Sequence, residues 1–172
     1  MLSIIKREIR ASIPGWSGKT LTYIDDVDVE PQNLATEVTR KSVGWLNDRD
    51  FVVREGETMV SPDFVRYDHR RLVAQPPVGP KDWVAGLFAW EQITGEWPTY
   101  ELREILAVRG DRTCACRWVM HFGEFEAEYV VVNASDRAGE RFATIRFYDP
   151  EDTNEALAEL DRLHAEIEAG DL

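Results

Sequence analysis

The chain has 172 residues, 44% of them hydrophobic and 30% charged, the balance of one globular domain that buries a full core without disulfides or metal. Its 32 acidic against 20 basic side chains give a formal net charge of −12, which repels phosphate backbones and anionic lipid and argues against nucleic-acid or membrane-surface partners. No apolar run approaches the roughly 20 residues that span a bilayer, and the opening "MLSIIKREIR" sets charges where a secretory signal keeps its apolar core, so the chain reads as cytoplasmic.

Residues 1–32 differ in composition from the rest of the chain. A basic-apolar start, a turn at "PGWSG" and the acidic "DDVDVEP" read as an N-terminal extension and linker, leaving 33–172 as the domain. Asn33 stands where it can cap a first helix, with Leu34, Val38 and Trp45 at helical spacing up to Leu46. "NDRD" stops that helix, and a second short one is predicted over 51–59 despite Gly56. The stretch "SPDFVRYDHRRLV" predicts a strand from Phe64 to about Val73. After "QPPVGP" a third helix runs over 82–93, apolar around much of its circumference through Trp83, Val84, Leu87, Phe88 and Trp90, and ends at Gly95.

Four strands are predicted next. Those at 100–109 and 112–122 flank Gly110-Asp111, a two-residue hairpin signal, and those at 124–133 and 141–148 flank the longer loop "ASDRAGE". Cys114 and Cys116 point to one side of their strand, too close for an ordinary disulfide and too few for zinc, so they read as small buried residues. The last helix opens with Asp152 as cap and Glu155 at the third position, and carries Leu157, Leu160, His164 and Ile167 on one stripe. Three helices and a strand, then an antiparallel meander and a closing helix, is an α+β order: a curved sheet that the helices cover.

Alternation divides the meander into an apolar face (Cys116, Trp118, Met120, Tyr129, Ile145, Phe147) and a mixed one (Arg117, His121, Glu126, Glu128, Val130, Arg146, Tyr148). Either the apolar face packs on the helices while the mixed one meets water, or the mixed face lines a pocket and a second copy buries the apolar one. On the first strand, Asp68 points away from Tyr67 and His69 and shares its side with Arg66 and Arg70. It reads as a general base in an apolar surrounding or as the partner of those arginines.

The motifs "NLATEV", "LNDRDF", "SPDFVRYDHRRLV", "GPKDW", "LAVRGDR" and "FYDPEDTNEALAELD", in this order over residues 33–164, resemble the nuclear-transport-factor-2-like superfamily, and within it the SnoaL-like proteins. The resemblance implies a cone-shaped α+β fold with a pocket between sheet and helices, commonly dimeric, among whose members are ketosteroid isomerases, polyketide cyclases and epoxide hydrolases. It sets Asp68 on the strand where ketosteroid isomerases keep their catalytic base. It sets Ser42 and Val130 where those enzymes keep their oxyanion donors, and no Arg-x-Asp of the epoxide-hydrolase kind occurs in the last four strands. It also turns the parity of Arg117, Val130 and Arg146 inward, so that the mixed face would line the pocket and Trp118, Met120 and Tyr129 would centre a homodimer contact.

The candidate site is then Asp68 as base, Arg117, His121 or Tyr148 as groups that polarise a carbonyl, and Trp83, Phe88, Trp90, Glu128, Val130 and Arg146 as lining. No phosphate loop, nucleophile elbow or metal-ligand spacing is present, so the expected chemistry uses no cofactor and no metal. Two functions fit: a cofactor-free isomerase, cyclase or lyase acting on a small hydrophobic oxygenated molecule, or a non-catalytic ligand-binding or dimerisation module of a larger regulatory protein.

Overall fold

The computed structural model describes residues 31–73 and 75–170 and, within the first thirty, an antiparallel pair of two-residue strands, β1 (Arg7–Glu8) and β2 (Thr22–Tyr23). The chain divides into two units, Met1–Glu30 and Pro31–Leu172. The turn expected at 14–18, and all but the last residue of the expected linker, lie outside the described residues.

In the second unit, α1 (Leu34–Asn47) starts where Asn33 and Thr36 cap each other: each side-chain oxygen accepts the other's backbone N–H at 2.9 Å. The Asn33 amide also donates to the carbonyls of Gly110 and Thr113, both at 2.9 Å, which ties the helix start to a distant turn. Asp48 then closes α1 and opens α2 (Arg49–Glu55) by accepting the Phe51 N–H. The helix expected over 51–59 is therefore split, its second half being a 3₁₀ turn at Gly56–Met59. Gly56 is where Val52 and Val84 close in; a Cβ there would meet both at 3.2 Å.

The first long strand, β3, is Val60–Asp68 and not 64–73. Its end is set by Asp68, whose carboxylate takes the Arg70 N–H at 3.2 Å and turns the chain. At its start Pro62 lacks a ladder donor, and the register shifts between Val60 and Val65, as an edge strand permits. Helix α3 (Pro80–Thr94) has Pro80 in its first turn and ends on Gly95 at φ +78°. The remaining strands are β4 (Thr99–Arg109), β5 (Thr113–Phe122), β6 (Phe125–Ser135) and β7 (Phe142–Tyr148). Arg109 pairs with Thr113, so the loop at Gly110 has three residues and not two, with Gly110 at φ +51°.

The sheet order is β3-β7-β6-β5-β4, parallel between β3 and β7 and antiparallel elsewhere. This is an α+β fold: a curved, mixed, unclosed sheet with α1–α3 against one face and α4 (Thr153–Ala169) against the other. The inner core joins Val38, Leu46, Phe64, Trp118, Tyr129 and Phe142; the outer one joins Ala115, Val130 and Val132 to Ala156, Leu160 and Leu163. The stripe expected on the last helix is thus rotated toward Ala156 and Leu163, with Leu157 and Ile167 at its flanks and His164 over Gly110. Asp152 does not cap that helix, because its carboxylate binds Arg71 at 2.6 Å.

The expected placement of the two sheet faces is overturned. Trp118, Met120 and Tyr129 are 2%, 4% and 3% exposed within the single chain, because α1–α3 already cover that face. No apolar patch is left there for a second copy, and a homodimer through these three residues is ruled out. Cys114 and Cys116 are free thiols on the same inner face. Among the described residues, no helix is long and apolar enough to cross a membrane.

Candidate functional site

Between α3 and the inner face of the sheet lies a cavity of about 280 Å³. Its walls are mostly apolar: Trp83, Leu87 and Trp90 from α3, Trp118 and Met120 from β5, Ile145 and Phe147 from β7. Helical spacing explains the first wall, since positions 83, 87 and 90 repeat on one side of α3; Gly86 on that side leaves open space where a Cβ would stand. Among the described residues, five polar side chains interrupt this lining, Arg66, Arg70, Gln75, Tyr100 and Tyr129.

The two arginines are held from behind. Asp68 has a side chain with 0% exposure, and Arg70 takes both of its oxygens, Nε to Oδ1 at 2.9 Å and Nη2 to Oδ2 at 2.6 Å. Arg66 approaches the same carboxylate at 3.9 Å and donates to Gln75 Oε1 at 2.5 Å. The Arg70 guanidinium lies over the rings of Tyr129 and Phe147, with centroids at 5.3 and 5.1 Å, and Arg66 lies over Phe147 at 5.8 Å. Burial pulls both guanidinium pKa values down. For Arg70 the hydrogen bonds and charge of Asp68 more than offset this, so its pKa is raised; for Arg66 they do not, and Arg70 lowers it further. Burial also pushes the phenols of Tyr100 and Tyr129 up, so both stay protonated. Among the described residues neither phenol has a hydrogen-bond partner, and the same holds for the buried Nε of Arg66 and the Trp118 indole N–H, which has the weakly accepting Cys116 thiol in its vicinity.

Of the residues singled out in the sequence, Trp83 and Trp90 line the cavity. Phe88 does not; it turns to Trp97, with ring centroids 5.4 Å apart. Asp68 lies on the inner side of β3 but behind Arg70, off the cavity wall. Tyr67 and His69 point to the outer side, where His69 stacks on Tyr148 at 4.8 Å and Tyr67 lies under the Arg146 guanidinium at 5.2 Å.

The other candidates stand on the outer face. Val130 and Tyr148 are packed beneath α4, and Arg146, buried there, pairs with Glu159 of that helix. Arg117 and Glu128 pair with each other at 2.9 Å, and His121 sits between Glu101 and Glu126. These side chains do not meet Asp68 or the cavity. Alternation gave the two faces; what misplaced the pocket was the parity carried over from the resemblance, which turned Arg117, Val130 and Arg146 inward, whereas Val130 is buried beneath α4 on the outer face. The polar groups that do line the cavity, Arg66, Arg70, Gln75, Tyr100 and Tyr129, carry one signal in the sequence: Arg66 and Arg70 flank Asp68 at period two.

No family model and no curated protein matches the sequence. Solved structures do resemble it. A computationally designed 17-OHP binder is 20% identical, with TM-score 0.54, over 69% of this chain and 92% of that one. RV0760c from Mycobacterium tuberculosis, solved in complex with estradiol-17beta-hemisuccinate, is 20% identical, with TM-score 0.54, over 67% and 93%. The Delta 5-3-ketosteroid isomerase from Mycobacterium sp. is 16% identical, with TM-score 0.53, over 70% and 96%. Overlap this extensive at such low identity is agreement of fold: the chain has the nuclear-transport-factor-2-like fold, the one that ketosteroid isomerase has.

Proposed function

We propose that the chain binds a small, hydrophobic, oxygenated molecule in the cavity between α3 and the sheet, and that Asp68 holds the site together without acting as its base. The observation that carries this reading is the contrast between the two kinds of polar group. Asp68 gives both oxygens to Arg70, its side chain has no exposure and it is not part of the cavity wall, so no lone pair faces the cavity as a general base needs. Tyr100, Tyr129 and Arg66 line the cavity with donors left over, which suits the oxygens of a ligand whose body packs on Trp83, Trp90 and Phe147. The bound steroid ester of RV0760c and the 17-OHP of the designed binder are ligands of this description, and support it by likeness of fold.

Native mass spectrometry of the purified protein tests the reading, with Gly86→Leu as its control. Gly86 lines the cavity with open space beside it, so a leucine takes up part of the cavity, and in a helix interior it also relieves about 0.8 kcal/mol of glycine cost. The expected result is a co-purifying small molecule on the wild type and none on a Gly86→Leu protein that melts no lower. A molecule retained in full by Gly86→Leu would place binding elsewhere and sink the proposal.

A further inference from the structure

Resting on that cavity reading, we propose further that the ligand is an anion: an apolar ring system or chain bearing one acidic oxygen group, which Arg66 and Arg70 receive. The charge count points this way. Arg66 and Arg70 contribute two positive charges and Asp68 one negative, leaving a net +1 beside an apolar cavity. Among the described residues, those that line it include no aspartate or glutamate. Asp149 adds to the field at Arg70 but less than Asp68 does, and its carboxylate is engaged by the Arg71 N–H at 2.9 Å.

The donor count agrees. Arg70 gives Nε and Nη2 to Asp68, and Arg66 gives Nη2 to Gln75. Arg66 Nε is buried and unpaired, and neither Nη1 makes a hydrogen bond among the described residues. A buried guanidinium with donors to spare costs stability unless an acceptor comes to it. Both groups are also fixed in advance, by stacking on Phe147 and Tyr129 and by the Asp68 anchor, so little order is lost when an oxyanion arrives. Tyr100 and Tyr129, held protonated, add two neutral donors to the same wall. The surface as a whole, at net charge −12, repels anions. A preference for them therefore has to come from the cavity.

Two dyes with one ring skeleton separate charge from shape: 1-anilinonaphthalene-8-sulfonate and the neutral N-phenyl-1-naphthylamine, which lacks only the sulfonate. Both brighten on leaving water, so each can be titrated by fluorescence. The sulfonate should bind the wild type at least about tenfold more tightly than the amine, and Arg66→Met should erase most of that margin by weakening the sulfonate far more than it changes the amine. The melting temperature of Arg66→Met is read alongside, and the wild-type comparison decides by itself if the variant does not fold. Equal affinities, or tighter binding of the amine, overturn the anionic ligand and leave the cavity proposal standing. If neither dye binds, the cavity proposal falls, and this inference falls with it.

Discussion

Asp68 is a carboxylate whose side chain has no solvent exposure, and its surroundings decide its role. Its two oxygens accept from the Arg70 guanidinium and from the Arg70 backbone N–H, and the cation is itself nearly buried. Removing one member of such a pair leaves the other charge uncompensated in a poor solvent for it, at a cost of about 3 kcal/mol. Asp68→Asn should therefore lower the midpoint of chemical unfolding, and the double variant Asp68→Leu with Arg70→Met should recover most of the loss. A general base would behave otherwise: Asp68→Asn would keep stability and lose only turnover. Gly110 sets a second test at this scale. At φ +51° an alanine is strained, and its Cβ would lie 2.7 Å from Cε1 of His164. The imidazole is the free end of a side chain and can rotate away, so the backbone dominates and Gly110→Ala should cost about 1 kcal/mol. Combining it with His164→Ala should recover little, as thermal melts of the four proteins will show.

Among the elements, α4 decides which face of the sheet faces solvent. It buries Ala115, Val130 and Val132 and brings Glu159 onto Arg146, a cation that burial pushes down and that Arg162 nearby pushes down further. Glu159→Gln should then destabilise in a urea titration, but by less than the roughly 3–5 kcal/mol of a fully orphaned buried charge, because Glu166 stays 3.6 Å from Arg146. Arg146→Met, which removes the charge and keeps the length, should be close to neutral. This helix also marks the boundary of what the sequence discloses. Cap, glycine and period signals located α1, α3 and all four meander strands, because those signals act within a few residues. The side of the sheet on which α4 lands depends on contacts between residues such as Val130 and Leu160 that are 30 positions apart, and no local pattern encodes it. The end of β3 was missed for a related reason: the run through Val73 has strand composition, but Asp68 accepting from Arg70 overrides it. The site was half legible, its apolar wall from the period of α3 and its polar end only as two arginines beside an aspartate.

At the scale of the molecule, alkali should find the fold's weak point. Burial pushes the phenol of Tyr148 up to about 12 and raises those of Tyr100 and Tyr129 as well. An unfolded chain releases these protons near pH 10, so the folded state binds more protons above that pH, and its stability falls as pH rises. The contribution is fully present below pH 10 and is lost between pH 10 and about 12 for Tyr148, at about 1.4 kcal/mol per pH unit for each such tyrosine. The tyrosinate absorbance that Tyr100, Tyr129 and Tyr148 contribute should therefore rise together with the loss of tertiary signal; titration of these three in a still folded protein would contradict this. The two ends of the sheet matter at the same scale. At β3, the Arg66 and Val78 backbones exchange two hydrogen bonds, at 2.9 and 3.1 Å, so a single non-strand residue interrupts the outer ladder of that strand at Arg66. At β4 the register shifts twice, and Glu101, Arg103 and Glu104 stand in the same run. Among the described residues, each border is thus interrupted, at Arg66 in β3 and by two register shifts in β4, which disfavours the straight row of free amides that templates cross-β growth. The chain should accordingly stay free of fibrils when concentrated, and a Val78→Pro substitution, which removes one of the two blocking bonds, is the change that should make it seed thioflavin-positive aggregates.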